Sequence, residues 1–398
     1  MKYQEKFNLY RFISLAVIAV SSLVTLGIMG AIKRFYADEV FCLLLIDILF
    51  LAVFIYQLEH ERVQGELHGN TENDLVKPAI GFGICCVIGL AGLIFPEYFK
   101  PVIFIAMVMY AFCNEMIAIS CGMYFSIVFC LFDGKNLNEL AGYVFLVLLA
   151  TVFFKELKRK EQRFYISMLY FCLQLLIPAV FFYWNYKIIS TDIYFWGAGM
   201  GAFSFLFTFF VMGKIQKRIQ KEISEKYQEL LHGDYREVRE VRAYSLMEYE
   251  HAKKVARLSG ICAAENGLNV DLCQAAGFYY RMGKRLGEPH VENGVMHAKQ
   301  LCFPMPLQQI LAEYNGEETQ ISTPESAIVH MVDGLLVRME ALEKDVGKSK
   351  WNLEVMISQT LNEFSTSGLY DNSGLSMNQF LKTREILNRE VTKRELSV

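Results

Sequence analysis

Apolar residues run in long, nearly unbroken blocks up to Gly213, and beyond Lys214 they thin to the three- and four-residue spacing of amphipathic helices. A helix needs about 20 apolar residues to cross a bilayer. Eight blocks approach that length, at 12–32, 40–57, 78–96, 100–119, 120–132, 138–155, 164–184 and 191–213. The fifth, CGMYFSIVFCLF, is short and follows the fourth without a loop. Residues 100–132 are therefore expected to form either a tight helical hairpin turning near Ser120 and Gly122, or a span followed by a re-entrant segment.

A different pattern follows. From 214 to 240, Ile215, Ile219, Ile223, Tyr227 and Leu230 make one apolar stripe on an otherwise charged helix, with Gly233 as its expected end. Such a helix either forms a dimeric coiled coil or lies on its own domain. From 243 onward the periodicity predicts helices at 244–266, 268–283, 291–303, 305–314, 324–343, 350–366 and 376–394, with no alternating strand. Start signals stand at Asn269-Val-Asp271, at Ser322-Thr323-Pro324-Glu325 and at Ser376-Met-Asn378. The expected organisation is a membrane domain over 1–213, a connector helix over 214–242 and an all-helical domain over 243–398. The fold class is all-α throughout.

Composition agrees. The chain is 54% apolar and 20% charged, with mean hydropathy +0.27, which places part of it in lipid and excludes a disordered chain or a small disulfide scaffold. Its net charge of −3 supplies no basic field, so no nucleic-acid partner is expected. The ten cysteines show no metal-finger spacing and read as reduced, buried thiols. With eight spans and both ends inside, the inner loops hold fourteen Lys and Arg against five outside. The expected location is the cell membrane, multi-pass, with the N-terminus and the C-terminal domain cytoplasmic. No small-x-small cleavage site suggests a signal peptide. Three polar residues fall at membrane depth, Asp47, Asn114 and Glu115. They are either packing contacts or an ion site of a transporter-like protein with a regulatory cytoplasmic domain.

The chemistry-bearing residues lie in the last domain. His251-Ala-Lys-Lys-Val255, Ala276-Gly-Phe-Tyr279-Tyr280-Arg281-Met282-Gly283-Lys284, His290-Val-Glu-Asn-Gly294, Tyr314-Asn315-Gly316 and Pro324 through Asp333 follow one another at set intervals. In order and spacing this series resembles an HD-domain phosphohydrolase. It is most similar to the bacterial seven-transmembrane-HD family of membrane-bound cyclic-di-AMP phosphodiesterases. The membrane half is similar too, with the family's extracellular domain reduced to a loop at 33–39.

The resemblance implies two divalent metals, held by His and Asp residues, that activate a water for attack on phosphorus. On that correspondence His251 matches the first His, His290 a later His and Asp333 the last Asp. The His-Asp doublet, however, is Tyr280-Arg281, and the paired His before Gly316 is Tyr314-Asn315. A guanidinium about 4 Å from a divalent ion costs about 2 kcal/mol even at water's dielectric constant. These departures imply a pseudo-phosphohydrolase in bacterial signalling, in which Arg281 stands in for metal and pairs with Asp333, with no cofactor. A sharper form makes the old pocket a nucleotide or cyclic dinucleotide site, with Arg281, Lys284 and His290 as phosphate donors and Tyr280 or Tyr314 as a stacking face. His251, His290 and Asp333 would then be remnants of a metal set. An active enzyme with an atypical Mn or Mg site is the alternative. A homodimer through 214–240 and the lipid bilayer complete the expected partners.

Overall fold

The computed structural model describes residues 9–67, 75–134, 136–158, 160–188, 190–316, 318–346 and 353–395. Among them the regular structure is helical, with eighteen α-helices and no strand. The chain divides into two compact units, Met1–Glu222 and Ile223–Val398.

The first unit holds α1 (Leu9–Lys33), α2 (Ala37–Gln64), α3 (Val76–Gly92), α4 (Val102–Phe112), α5 (Glu115–Asp133), α6 (Leu137–Val152), α7 (Lys160–Tyr186) and α8 (Thr191–Leu206). A π-helical stretch, Phe207–Met212, follows, and then α9 (Gly213–Leu231) begins. Five helical runs are long and apolar enough to cross a membrane: α1, α2, α5, α7 and the run that starts at Thr191. Large apolar side chains such as Val20, Leu49, Val53, Phe195 and Phe210 are exposed on these helices. A soluble surface would not tolerate so many, whereas lipid does.

Eight apolar helices are present, as the sequence pattern predicts, but α3, α4 and α6 have only 17, 11 and 16 residues. At about 1.5 Å per residue, α4 reaches roughly half of a hydrocarbon core. The expected turn near Ser120 and Gly122 is not found. The chain breaks at Cys113 and Asn114 instead, so the fourth helix is the short one and the fifth has 19 residues. The reason is a cap: Asn114 is extended, and its side-chain oxygen accepts from the Ile117 N–H at 3.0 Å. Its amide also donates to Glu61 at 2.6 Å, which gives a partner to a polar group expected at membrane depth. Glu115 lies in the first turn of α5.

In the second unit α10 (Arg236–Tyr244), α11 (Leu246–Asn266), α12 (Val270–Tyr279), α13 (Met282–Leu286), α14 (His290–Gln300), α15 (Met305–Ala312), α16 (Pro324–Val346), α17 (Leu353–Thr366) and α18 (Met377–Glu395) follow the end of α9. Ser245, Asn269, Thr323 and Ser376 each accept a backbone N–H at the start of a helix, so the sequence signals mark real caps at all three expected places, and Ser245 adds a fourth.

Helix α11 is the centre of the unit because it is apolar on two faces. Ala252, Ala256 and Ala263 join a cluster with α12 and α15, while Val255, Leu258 and Cys262 join another with α16, α17 and α18. The stripe residues Ile223, Tyr227 and Leu230 of α9 pack into the first of these clusters, and the Tyr279 hydroxyl donates to the Leu230 carbonyl at 2.6 Å. Ile219 is buried as well. The stripe therefore serves packing within its own chain, as an amphipathic helix lying on a domain does.

The helix expected over 268–283 is two helices. Tyr280 and Arg281 form the turn between α12 and α13. Immediately after, Gly283 lies so close to α14 that a Cβ there would sit 1.9 Å from the His290 carbonyl oxygen. Only glycine permits that approach, and it fixes how the 280–284 segment lies against α14.

Candidate functional site

The turn between α12 and α13 opens onto a cavity of about 490 Å³ in the second unit, within the size range of small-molecule sites. Arg281, Lys284 and Arg285 line it, with His251 and Glu248 from α11, Asp333 from α16 and Tyr244 from α10. A second, much smaller cleft lies beyond Arg281 and Lys284, bounded by Tyr280, His290 and Tyr314.

Asp333 organises the polar floor. It is 3% exposed, and its Oδ1 lies 2.9 Å from His251 Nε2 and 2.9 Å from Arg281 Nε. Arg281, whose side chain is 15% exposed, also places Nη1 3.5 Å from Glu248. On the far side of the imidazole, His251 Nδ1 lies 3.0 Å from Glu340 Oε2, and Lys254 is 3.6 Å from the same carboxylate. Three cations or cation precursors, Arg281, His251 and Lys254, thus alternate with three carboxylates, an arrangement that neutralises itself without an added ion.

The titration behaviour follows. Burial pushes the His251 imidazole down, but its hydrogen bonds to Asp333 and Glu340 outweigh burial and hold it above its ordinary value. Burial also works against the charge on Arg281, and Asp333 with Glu248 overcomes it. Glu340 is held low, because His251, Lys254 and Arg281 together exceed the opposing effect of burial.

Of the residues singled out from sequence, Arg281, Lys284, His251 and Asp333 come together at the large cavity. Tyr280, His290 and Tyr314 face the small cleft instead, with Arg281 and Lys284 shared by both. The buried Tyr280 ring packs on Tyr314 at 4.9 Å, and its hydroxyl accepts from the Asn315 N–H at 3.1 Å. His290 is 36% exposed and pairs with Glu288 at 2.9 Å. Lys284 lies 5.9 Å from the Tyr314 ring centre.

Sequence reasoning passed over Arg285, Glu248 and Glu340, which the structure adds to this cluster. Signals for each existed: Arg285 adjoins Lys284, Glu248 is one helical turn before His251, and Glu340 is two turns after Asp333 on one face of α16. It also passed over Glu237, whose carboxylate is 1% exposed and lies 2.5 Å from Arg285 and 3.1 Å from His297. His297 has no motif spacing, so only the fold reveals that pairing. Arg285 further contacts Glu240 at 2.9 Å, which ties α10 to the cavity wall.

The metal pair implied by the resemblance finds no matching donor set. Among the described residues no group of three or more His, Cys, Asp and Glu side chains is placed to hold a metal ion. Asp333 Oδ1 already faces two donors, and the guanidinium lies where an added cation would meet repulsion.

No family model matches the chain. Two curated proteins named ribonuclease Y are similar to part of it. That of Finegoldia magna is 26% identical over 162 residues, covering 35% of this chain and 31% of the relative. That of Fervidobacterium nodosum is 32% identical over 101 residues, covering 24% and 19%. The chain thus spans less than a third of the length of these relatives. Among solved structures, the HD domain of the Listeria monocytogenes phosphodiesterase PgpH has a TM-score of 0.37 at 16% identity, over 41% of this chain and all of that domain. The same domain in complex with cyclic-di-AMP has a TM-score of 0.36 at 15% identity, over 41% and 99%.

Proposed function

We propose that this chain is a membrane-anchored pseudo-phosphohydrolase: an HD-like domain without hydrolytic metals, carried on a helical membrane unit, that acts as a sensor by binding a phosphate-bearing ligand. The observation that supports this most is the convergence of Arg281 and His251 on Asp333 Oδ1, each at 2.9 Å. A charge-assisted contact occupies the carboxylate a metal would need, and the helices α11, α12 and α16 are held together by it. The walls of the adjoining cavity carry Lys284 and Arg285 as further donors toward an anion. In this reading both the N-terminus and the C-terminal domain face the cytoplasm, as the loop charges indicate.

Calorimetry on the full chain in detergent tests it, titrating cyclic-di-AMP, other cyclic dinucleotides and linear nucleotides with and without Mn²⁺. Binding without turnover that is lost in Arg281→Ala and in Lys284→Ala supports the reading. The likeness to proteins named ribonuclease Y raises a second substrate class, so a short single-stranded RNA belongs in the same series. Cleavage of that RNA would replace the sensor reading with a nuclease.

A further inference from the structure

Asp47 is the only carboxylate of α2 placed near mid-helix, ten residues in from Ala37, and it is 0% exposed. Its Oδ1 accepts two hydroxyls, from Ser22 of α1 at 2.6 Å and from Tyr124 of α5 at 2.6 Å. Those two residues are also near mid-helix, so the three groups meet at the level of the hydrocarbon centre if α1, α2 and α5 span a bilayer. Ser22 and Tyr124 lie 3.3 Å apart, and the Phe50 ring stacks on Tyr124 at 3.8 Å, closing the site with an apolar plate.

The other oxygen, Oδ2, is buried and has no partner. The titratable groups facing Asp47 are the Tyr124 phenol from α5 and the Cys86 thiol from α3, while α1 presents only hydroxyls. No Lys, Arg or His pairs with Asp47 among the described residues. Glu139 of α6 is alike in being 0% exposed, with Oε1 taking the Tyr143 hydroxyl and the Tyr98 N–H while Oε2 has no partner; two further carboxylates of this unit differ. Asp133 lies 2.5 Å from Lys100 and 3.0 Å from Lys33, and Glu61 takes an amide donor from Asn114.

An ionised carboxylate with two hydroxyl donors and no cation is far costlier at membrane depth than a neutral acid whose O–H lacks one acceptor. We infer that Asp47 is a proton-binding site: the carboxyl carries its proton on Oδ2 in the folded membrane unit, with Ser22 and Tyr124 donating to Oδ1. Release of that proton leaves an unpaired charge where α1, α2 and α5 meet, so the packing of this junction depends on proton occupancy. The site is independent of the cavity in the second unit.

The test uses the full chain in lipid nanodiscs at neutral pH. Infrared difference spectra between the wild type and Asp47→Asn are expected to show the loss of one protonated-carboxyl carbonyl band with the carboxylate bands unchanged. Loss of a carboxylate band instead would overturn the inference. Should Asp47→Asn not fold, Tyr124→Phe keeps the acid and removes one donor to it. The protonated-carboxyl band must then persist with a shifted frequency, and a band that stays unmoved contradicts the assignment. Exchange of Na⁺ for choline at fixed pH is expected to change nothing. A stabilisation by Na⁺ that vanishes without the Asp47 carboxylate would replace the proton by a metal cation and sink the proposal.

Discussion

Asp333 has two partners that differ in kind, an ion pair with Arg281 and a hydrogen bond with His251, and each has its own signature when removed. Arg281→Ala takes away the permanent charge and leaves a buried carboxylate with only His251, so a loss of about 2–3 kcal/mol is expected in denaturant unfolding of the full chain. Arg281→Lys does not restore it, because an ammonium cannot meet Asp333 and Glu248 from one planar fork. His251 is legible through pH. Its folded-state pKa is raised, so its contribution to stability is complete below about pH 6.5 and is lost as pH rises through the raised value. His330, three residues before Asp333 on α16, does the opposite. Burial pushes it down to about 4, and its Nδ1 lies 2.7 Å from the Tyr370 hydroxyl. Its contribution is present above about pH 6.5 and is lost as pH falls toward 4. Melting curves against pH are thus expected to peak near neutrality, with the alkaline slope reduced in His251→Asn and the acid slope reduced in His330→Asn.

At the scale of elements, the α12–α13 turn and α10 determine the cavity. Gly283→Ala forces α13 away from the His290 carbonyl, and overpacking of this kind costs about 1–3 kcal/mol, to be read as a lower melting temperature. Glu237→Gln removes the carboxylate that Arg285 and His297 share. Hydrogen exchange in α10 is expected to rise by at least tenfold while α11 stays protected. The sign of the Glu237 shift agrees, since His297 and Arg285 hold its carboxyl low against the opposing push of burial. Helix positions were largely readable from the sequence, because three- and four-residue spacing and caps such as Asn269 act locally. Two features were not. The break at Asn114 depends on a side chain capping its own helix in the middle of an apolar run, and the α12–α13 turn depends on contact between Gly283 and α14. Hydropathy sees neither. The cluster on Asp333 was half legible: the correspondence of motifs points to Arg281, His251 and Asp333, whereas the outer carboxylates Glu248 and Glu340 need the fold.

At the scale of the whole molecule, the chain joins an apolar helical unit to a second helical unit, in which no metal donor set is gathered among the described residues. Five helical runs of spanning length make the chain membrane-associated. On the proposed function, the charge-balanced cluster on Asp333 predicts that a phosphodiester entering the cavity is retained and not cleaved. The most direct test is a turnover assay on the purified full chain in nanodiscs with cyclic-di-AMP and saturating Mn²⁺, following the linear product over many hours. No product above that of a protein-free control is expected, and the same result with Mg²⁺. Product formation that depends on Mn²⁺ and disappears in Asp333→Asn would contradict the account.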